Sequence, residues 1–227
     1  MTPRSPAPIG LLGGTFDPVH YGHLRAADEV RAALGLAEVR LVPAGDPPHR
    51  AAPSASAEQR LAMLDLAVPE FPGLVVDPRE IARPGRSYTV LTLEELRAEA
   101  PARPIALIVG VDAFAGFPTW HRWRDVFALA HVVVVTRPGA AIDEAIRGAL
   151  ADEWAARATT DRAALESRPS GAIWVQAIHP QPISSTVIRR VLAQGHEGIA
   201  EVRGLLPPAV LAYIDRNQLY RHRPDAT

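Results

Sequence analysis

The sequence predicts an α/β fold, a Rossmann-like parallel sheet with helices on both faces. Two observations support this prediction. Short runs of β-branched and other apolar residues alternate with longer amphipathic segments along most of the 227 residues, and this alternation is typical of β-α units. Several of the short runs are continuously apolar, as expected for strands that are covered on both faces.

Six segments are predicted as strands because each is short, apolar and bounded by turn residues. They are Ile9–Gly13, Val39–Val42, Leu74–Asp77, Ile105–Val109, Val132–Val135 and Ile173–Gln176. Five longer segments show helical patterns or helix-start signals. They are Gly22 to Leu34, Ser56 to Ala67, Ser87 to Glu99, Ser184 to Ala193 and Pro207 to Asn217.

Local signals support individual helices. In the first, apolar residues recur on one face from Leu24 to Leu34, with the spacing of an amphipathic helix. The second begins with a capping-box pattern from Ser56 to Gln59, in which each residue satisfies a backbone N–H near the other. Pro207 or Pro208 suits the first turn of the last helix.

Two stretches fit neither pattern cleanly. Pro43–Ala55 is a loop rich in Pro, Ala and Gly and is a candidate lid over a binding site. Gly139 to Arg168 is rich in Ala and charged residues, has helical character, and is interpreted as a peripheral insertion. No internal repeat or clean boundary is evident, so we expect one domain over 1–227, with a small helical part from about residue 184.

Composition limits the classes of function. Hydrophobic residues make up 48% of the chain and charged residues 22%, which permits a sizeable core. The formal net charge of −1 disfavours a dedicated nucleic-acid binder. Without cysteines, disulfides and thiolate metal sites are excluded. The sequence shows no signal peptide or membrane span, so a cytoplasmic protein is expected; whether it forms a homo-oligomer stays open.

The chain contains no lysine; all 24 basic residues are arginine. Any contact between a charged side chain and a phosphate therefore falls to arginine or histidine.

The segment Gly13 to His23 reads "GGTFDPVHYGH" and follows the first predicted strand. In an open parallel sheet, ligands bind at the carboxyl ends of the strands. Glycines there let the backbone approach a ligand, and the N-terminus of the following helix favours an anion. His20 and His23 fall at that same helix end, so the segment is a candidate phosphate site.

Two other interpretations of this segment stay open on spacing alone. It could be a capped turn with incidental histidines. His20 and His23 could also bind a metal, although Asp17 is the only nearby third ligand. The segment is neither a Walker A loop nor a G-x-G-x-x-G fingerprint.

Further motifs follow in order along most of the chain. They are "PPHR" (Pro47–Arg50), "SYT" (Ser87–Thr89), "GVD" (Gly110–Asp112), "FPTW" (Phe117–Trp120), "RPG" (Arg137–Gly139), "ISSTVIR" (Ile183–Arg189) and "YIDRNQLY" near the C-terminus. With "HYGH" at His20 to His23, this series resembles the nucleotidyltransferase superfamily and, within it, the bacterial nicotinate-nucleotide adenylyltransferases.

The resemblance implies a reaction between nicotinate mononucleotide and ATP that gives nicotinate adenine dinucleotide and pyrophosphate. The mononucleotide phosphate is already ionised near neutral pH, so the in-line attack needs no general base. Catalysis would come from positioning and from stabilising charge as pyrophosphate leaves. Mg²⁺ would be carried mainly by the ATP phosphates, so no dedicated protein metal site is expected.

The resemblance also implies a set of residues for the ATP half of the site. They are Gly14, Thr15, His20, His23, Ser184, Ser185 and Arg189. His20, His23 and Arg189 would stabilise the transition state. From its own residues alone, Ser184 to Arg189 is better explained as an ordinary Ser-capped helix with a solvated arginine; paired with the opening motif, the phosphate role is favoured.

For the mononucleotide half, the resemblance implies that Trp120 stacks on the pyridine ring and that Asp112 accepts from a ribose hydroxyl. Backbone N–H groups near Thr89 and His121 would bind the nicotinate carboxylate. Such a pocket would favour nicotinate over nicotinamide, since an amide presents NH₂ where an acceptor is needed. The "FPTW" motif could instead be a core aromatic corner, and Asp112 a helix N-cap.

Two arginines complete the implied set. Arg50 would face the phosphates from the long loop, where many family members carry lysine, so a bidentate contact would replace a point charge. Arg137 is the least supported, because a plain "RP" turn also explains it.

Competing functions remain to be discriminated. A phosphopantetheine or nicotinamide-mononucleotide adenylyltransferase shares the superfamily motif. A class I aminoacyl-tRNA synthetase shares it too, but 227 residues leave no room for a tRNA-reading domain. A non-catalytic ATP sensor is a different class, and it would not need both histidines and Arg189.

Overall fold

The computed structural model describes residues 6–47, 52–137, 142–179 and 181–221. Six strands in this part of the chain form one sheet: β1 (Ile9–Gly14), β2 (Val39–Pro43), β3 (Leu74–Val76), β4 (Ile105–Gly110), β5 (His131–Thr136) and β6 (Ile173–Ala177). Each coincides with a predicted strand, and no end differs by more than one residue.

The strands are arranged in the order β3-β2-β1-β4-β5-β6, and every neighbouring pair is parallel. The chain winds outward from β1 to β3, then returns to the other side of β1 with β4, where Ile9 lies opposite Ile105. A parallel sheet of this order has its ligand crevice at the carboxyl ends of the two central strands. The predicted Rossmann-like fold is confirmed.

The helices between and after the strands lie along the described residues as follows. They are α1 (Tyr21–Leu34), α2 (Ala57–Ala67), α3 (Arg79–Ala82), α4 (Thr89–Glu99), α5 (Val111–Ala115), α6 (Val126–Leu129), α7 (Ala149–Arg157), α8 (Ala163–Ser167), α9 (Ser185–Leu192), α10 (His196–Glu201) and α11 (Pro208–Arg216).

Helix α1 buries the face that its sequence pattern predicts. Leu24, Ala27, Val30 and Leu34 are each at most 3% exposed. The helix ends at Gly35, which has φ of 62°, a left-handed conformation that glycine adopts without strain. Burying this stripe holds α1 against the sheet, and therefore holds the helix N-terminus at the carboxyl end of β1.

Two hydrophobic clusters cover the two faces of the sheet. One unites α1, α2, α9 and α11, with Leu24, Ile188 and Val210 among its buried members. The other contains Leu93 of α4 and Phe127 of α6. Because the helices after residue 184 share a cluster with α1, the packing supports a single domain, which stays a prediction.

Most differences from the sequence prediction concern helix ends and short helices. The start of α2 agrees with the prediction: its capping box is present, with Ser56 accepting from the Gln59 backbone. Helix α4 begins at Thr89 rather than Ser87, because Ser87 is held in the loop by hydrogen bonds to Gly45 and Asp46. Helices of four to six residues were missed because they are too short to show a period.

The segment predicted as a peripheral insertion does have helical character. Its described part, 142–168, contains α7 and α8, and Leu150 and Leu165 are buried. Among the helices described, none is long and apolar enough to cross a membrane.

Candidate active site

A cleft of about 1150 Å³ opens at the carboxyl ends of β1 and β4. Eleven residues implied by the resemblance line it: Gly14, Thr15, Thr89, His20, His23, Asp112, Trp120, His121, Ser184, Ser185 and Arg189. Residues 170 positions apart in the sequence thus share one cavity, as the topology of the sheet requires.

The loop from β1 to α1 forms one wall of this cleft. Phe16 has φ of 51°, a left-handed conformation that is unusual for a residue with a side chain. The buried Phe16 ring meets His23 edge-on, with centroids 5.1 Å apart. A Cβ on Gly14 would come within 3.0 Å of the Phe16 ring, so glycine there gives the ring the space to support His23.

His20 and His23 stack on each other at the start of α1. Their ring centroids are 3.8 Å apart and their planes 24° apart. His20 is the N-cap residue of α1, and both rings line the cleft. A Cβ on Gly22 would lie 2.8 Å from the His20 ring, so the glycine in "HYGH" is needed because any side chain would displace that ring.

His20 is 4% exposed, and burial lowers its pKa from 6.5 to about 4. Its imidazole is therefore neutral at neutral pH. No group among the described residues makes a hydrogen bond with its buried Nδ1. A neutral ring that carries one N–H can still donate a hydrogen bond to a phosphate oxygen.

Asp17 lies within the same loop and is 5% exposed. Its carboxylate accepts hydrogen bonds from the backbone N–H groups of Ser54 at 2.8 Å and Ala55 at 3.1 Å. These bonds attach the segment that leads into α2 to the β1–α1 loop. Asp17 is thus engaged in protein contacts, which argues against its role as a third metal ligand beside the histidines.

Arg60 was not identified from the sequence. Although it lies on α2, it is only 1% exposed, and its guanidinium donates to the carbonyls of Thr15 at 2.8 Å and Gly45 at 3.3 Å. Burial lowers the pKa of this guanidinium from its ordinary value, yet arginine stays protonated in proteins. A buried positive charge therefore ties the β1–α1 loop to the loop after β2.

The N-terminus of α9 lines the same cleft as the two histidines. Ser184 is the N-cap residue, but its side chain makes no capping hydrogen bond. The interpretation as an ordinary Ser-capped helix therefore does not explain the serine at this position. Ser185 Oγ donates to the Pro18 carbonyl at 3.0 Å, and Arg189 Nη1 donates to the Asp17 carbonyl at 2.6 Å. These two bonds cross-link α9 to the β1–α1 loop.

The same cleft is also lined by residues implied for the mononucleotide. Thr89 is the first residue of α4, where backbone N–H groups have no partner within the helix. Asp112 lies in the first turn of α5, whose N-cap is Gly110, so the N-cap interpretation of Asp112 is wrong. His121 packs against Tyr88, with ring centroids 4.5 Å apart.

Each of the two interpretations of "FPTW" fits one of its two aromatic residues. Phe117 is fully buried in the core, as the aromatic-corner interpretation requires. Trp120 is only half-buried, rests on Phe117 with centroids 4.6 Å apart, and lines the cleft. A half-exposed aromatic face supported from below is suited to stacking on a planar ring.

Two further arginines were implied as phosphate or substrate contacts, Arg50 and Arg137. Arg50 lies outside the described residues. Arg137 follows β5, is exposed, and is not among the described residues that line the cleft. Both roles stay predictions.

The loop after β2 is held at both described ends. Ala44 N–H donates to the Gly14 carbonyl at 2.9 Å, and Gly45 N–H donates to Ser87 Oγ at 2.8 Å. At the other end, Ser54 and Ala55 bind Asp17. Residues 48–51, which belong to the candidate lid, lie outside the described part.

The donors in the cleft are N–H groups and imidazoles rather than an oxygen cage. Within residues 6–47, 52–137, 142–179 and 181–221, no group of three or more His, Asp or Glu is arranged to hold a metal ion.

Comparisons with known proteins agree with this geometry. The cytidylyltransferase-like family model matches residues 11–191. A protein of Halorhodospira halophila is 54% identical over 202 residues, 89% of this chain and 90% of that protein. One of Dechloromonas aromatica is 48% identical over 217 residues, 95% and 98% of the two chains. Both are named probable nicotinate-nucleotide adenylyltransferase.

A solved structure shows the same fold. The nicotinic acid mononucleotide adenylyltransferase of Plasmodium falciparum, complexed with NaAD, superposes with a TM-score of 0.68 at 16% identity, over 95% of this chain and 98% of that one. The chain therefore belongs to the cytidylyltransferase-like family and, within it, to the nicotinate-nucleotide adenylyltransferases.

Proposed function

We propose that the protein transfers the adenylyl group of ATP to nicotinate mononucleotide, giving nicotinate adenine dinucleotide and pyrophosphate. One observation carries this proposal. The stacked pair His20 and His23, at the carboxyl end of β1, shares a single cleft with the N-terminus of α9 and with the supported face of Trp120. The cleft thus offers donors for a polyphosphate at one end and a platform for a planar ring at the other.

The chemistry is an in-line displacement. An oxygen of the mononucleotide phosphate forms a bond to the α-phosphorus of ATP, while the bond to the bridging oxygen of the β-phosphate breaks. The electron pair of the broken bond leaves with pyrophosphate. The nucleophile is ionised before it binds, so the protein's task is to align the two phosphates and to stabilise the leaving charge.

Each end of the cleft has a defined role in this proposal. His20, His23 and Arg189 donate to the ATP phosphates, with Ser184, Ser185 and the N-terminus of α9 beside the outer ones. Gly14 and Thr15 admit the triphosphate close to the backbone. Mg²⁺, if carried by the ATP phosphates, would neutralise part of their charge, and no residue of the protein is assigned as its ligand.

At the pyridine end, Trp120 stacks on the ring, and backbone N–H groups near Thr89 and His121 bind the carboxylate. Asp112 accepts from a ribose hydroxyl. Because N–H groups require an acceptor, nicotinate fits this end better than nicotinamide.

The test is pyrophosphate release from ATP and Mg²⁺ with one second substrate at a time: nicotinate mononucleotide, nicotinamide mononucleotide, phosphopantetheine or none. We expect release with the first, at a kcat/KM well above that for the second. A ratio near one, or one favouring the amide, contradicts the acid preference. ATP binding without release under any condition indicates a sensor and overturns the proposal.

A further inference from the structure

The C-terminal segment contacts the β1–α1 loop through the side chain of Tyr220. Tyr220 lies beyond α11, in the segment that the sequence shows as "YIDRNQLY" and to which no role was assigned. Its hydroxyl donates to Asp17 Oδ1 at 2.7 Å, across 203 positions of sequence. Asp17 is three residues before His20, so the last described turn of the chain contacts the loop that carries the histidine pair.

The backbone of this turn is held in an unfavourable conformation. Gln218 and Tyr220 have φ of 52° and 64°, a left-handed conformation that is unfavourable for a residue with a Cβ. The turn is fixed by a hydrogen bond from Leu219 N–H to the Ile214 carbonyl at 3.0 Å. Left-handed residues persist where surrounding contacts hold them and are frequent at functional sites.

Asp17, which accepts the Tyr220 bond, also contacts the segment before α2 and helix α9. The Asp17 carboxylate also binds the N–H groups of Ser54 and Ala55. The Asp17 carbonyl accepts from Arg189 Nη1, which also lies 3.9 Å from Asp17 Oδ2. Through Asp17, the Tyr220 hydroxyl thus connects to the α9 arginine that faces the proposed phosphate site.

The hydroxyl is suited to this task because it remains a donor. Burial and the neighbouring Asp17 raise the pKa of Tyr220 above its ordinary value, and Arg189 and Arg60 partly oppose the rise. The phenol therefore stays protonated throughout the range in which the protein would work. A carboxylate that accepts from a buried hydroxyl loses rotational freedom, because turning would break a charge-assisted bond.

We infer that Tyr220 is a positioning residue of the adenylyl-transfer site, whose hydroxyl fixes Asp17 and, through Asp17, the guanidinium of Arg189. The inference rests on the proposed function. Tyr220 does not line the cleft, so it acts on the reaction only through the groups it holds. Its loss should affect the step in which charge develops on the pyrophosphate more than the binding of the mononucleotide.

The experiment compares Tyr220→Phe, which removes only the hydroxyl, with the matched control Tyr213→Phe. Tyr213 lies on α11 and, like Tyr220, packs against the hydrophobic cluster that contains Leu24. Its hydroxyl makes no hydrogen bond among the described residues. We expect Tyr220→Phe to lower kcat about tenfold, the effect of losing one hydrogen bond to a charged group. The KM for nicotinate mononucleotide should change less than about twofold, and Tyr213→Phe should match the wild type.

A merely structural role for the hydroxyl is excluded by a double-mutant cycle. If Tyr220 acts through Arg189, Tyr220→Phe should lower kcat further by less than about twofold in an Arg189→Gln background. Full additivity of the two effects, or a kcat of Tyr220→Phe equal to that of Tyr213→Phe, overturns the inference.

Wild-type turnover separates this inference from the proposed function. If the wild type releases no pyrophosphate, the proposed function fails, and the same cycle is then measured as ATP affinity by calorimetry. Loss of ATP affinity in Tyr220→Phe that vanishes in the Arg189→Gln background supports the positioning role. Unchanged affinity contradicts it.

Discussion

The imidazole rings of His20 and His23 lie nearly parallel, with centroids 3.8 Å apart. Two positive charges at that spacing would repel each other, and burial already holds the pKa of His20 near 4. A triphosphate that enters the cleft therefore meets His20 as a neutral ring, whose N–H is available as a hydrogen-bond donor. His20 is therefore suited to stabilise, by a hydrogen bond, the charge that develops in the transition state, rather than to attract the ground state as a cation.

The first prediction concerns His23. His23→Ala should lower kcat by about 10²–10³-fold, the effect of removing one preorganised donor to a developing anion. The KM for nicotinate mononucleotide should change less than about threefold, because His23 faces the proposed ATP end. Steady-state pyrophosphate release gives both constants. His179→Ala is the control, since His179 is 85% exposed and pairs with Glu29; near-normal turnover of His23→Ala would remove the proposed role.

The second prediction concerns stability and pH. The pKa of His20 is lowered to about 4 in the folded protein, below its unfolded value of about 6.5. The unfolded chain therefore binds more protons between these two values, so stability is complete above about pH 6.5 and is lost as the pH falls towards 4. Linkage gives a loss of about 1 kcal/mol at about pH 5.5 and about 2–3 kcal/mol at about pH 4.5.

The pH prediction is checked by urea unfolding of the wild type and of His20→Gln across this range. Other titrating groups, including His131, whose pKa burial also lowers, contribute equally to both proteins. The free energy of unfolding of the wild type should therefore fall more steeply on acidification than that of the variant. Parallel curves would contradict a buried neutral His20.

Local patterns were sufficient to predict the sheet and most of the site. Strand runs, the α2 capping box and the apolar face of α1 depend on neighbours in sequence, and the motif predicted both histidines at the carboxyl end of β1, where they line the cleft. Arg60 was missed because a polar residue on a helix normally faces solvent. Tyr220 was missed because its partner Asp17 is 203 positions away, and only the tertiary fold brings them together.

The third prediction concerns the glycine between the histidines. In Gly22→Ala, the new Cβ would lie 2.8 Å from His20 Cε1 and Nδ1, so the imidazole must move. We expect kcat to fall about 10²-fold, since displacement of a donor by about 1 Å has effects of that size. Far-ultraviolet circular dichroism should remain unchanged.

A matched glycine controls for the added methyl group. Gly116 also lines the cleft, but a Cβ there would make ordinary contacts at 3.6 Å. Gly116→Ala should therefore retain most of the activity. Equal losses in the two variants would show that the cleft rejects any added methyl, and would argue against a specific effect on His20.

The fourth prediction tests Trp120 as the pyridine platform. Trp120→Ala should raise the KM for nicotinate mononucleotide about tenfold, in line with about 1–3 kcal/mol per stacked base. The KM for ATP should stay within about twofold. Trp120→Phe keeps an aromatic face above Phe117 and should recover part of the loss. An equal rise of both KM values, or no benefit from phenylalanine, would indicate that Trp120 only supports the fold.

The last prediction concerns the buried arginine. Arg60→Met keeps the length of the side chain but removes the donors to the Thr15 and Gly45 carbonyls. Two partly buried acceptors then lose these hydrogen bonds, and Asp17 loses a nearby opposite charge. We expect the free energy of unfolding to fall by about 2–4 kcal/mol, as measured by urea unfolding.

Activity should fall as well as stability in Arg60→Met, because the β1–α1 loop and the loop after β2 are no longer tied together. We expect kcat/KM to drop more than about tenfold under conditions where the variant is fully folded. Arg216→Met is the control, because Arg216 is exposed on α11 and should tolerate the change within about 0.5 kcal/mol. If Arg60→Met unfolds with the wild-type free energy, the Arg60 guanidinium does not hold these carbonyls in solution.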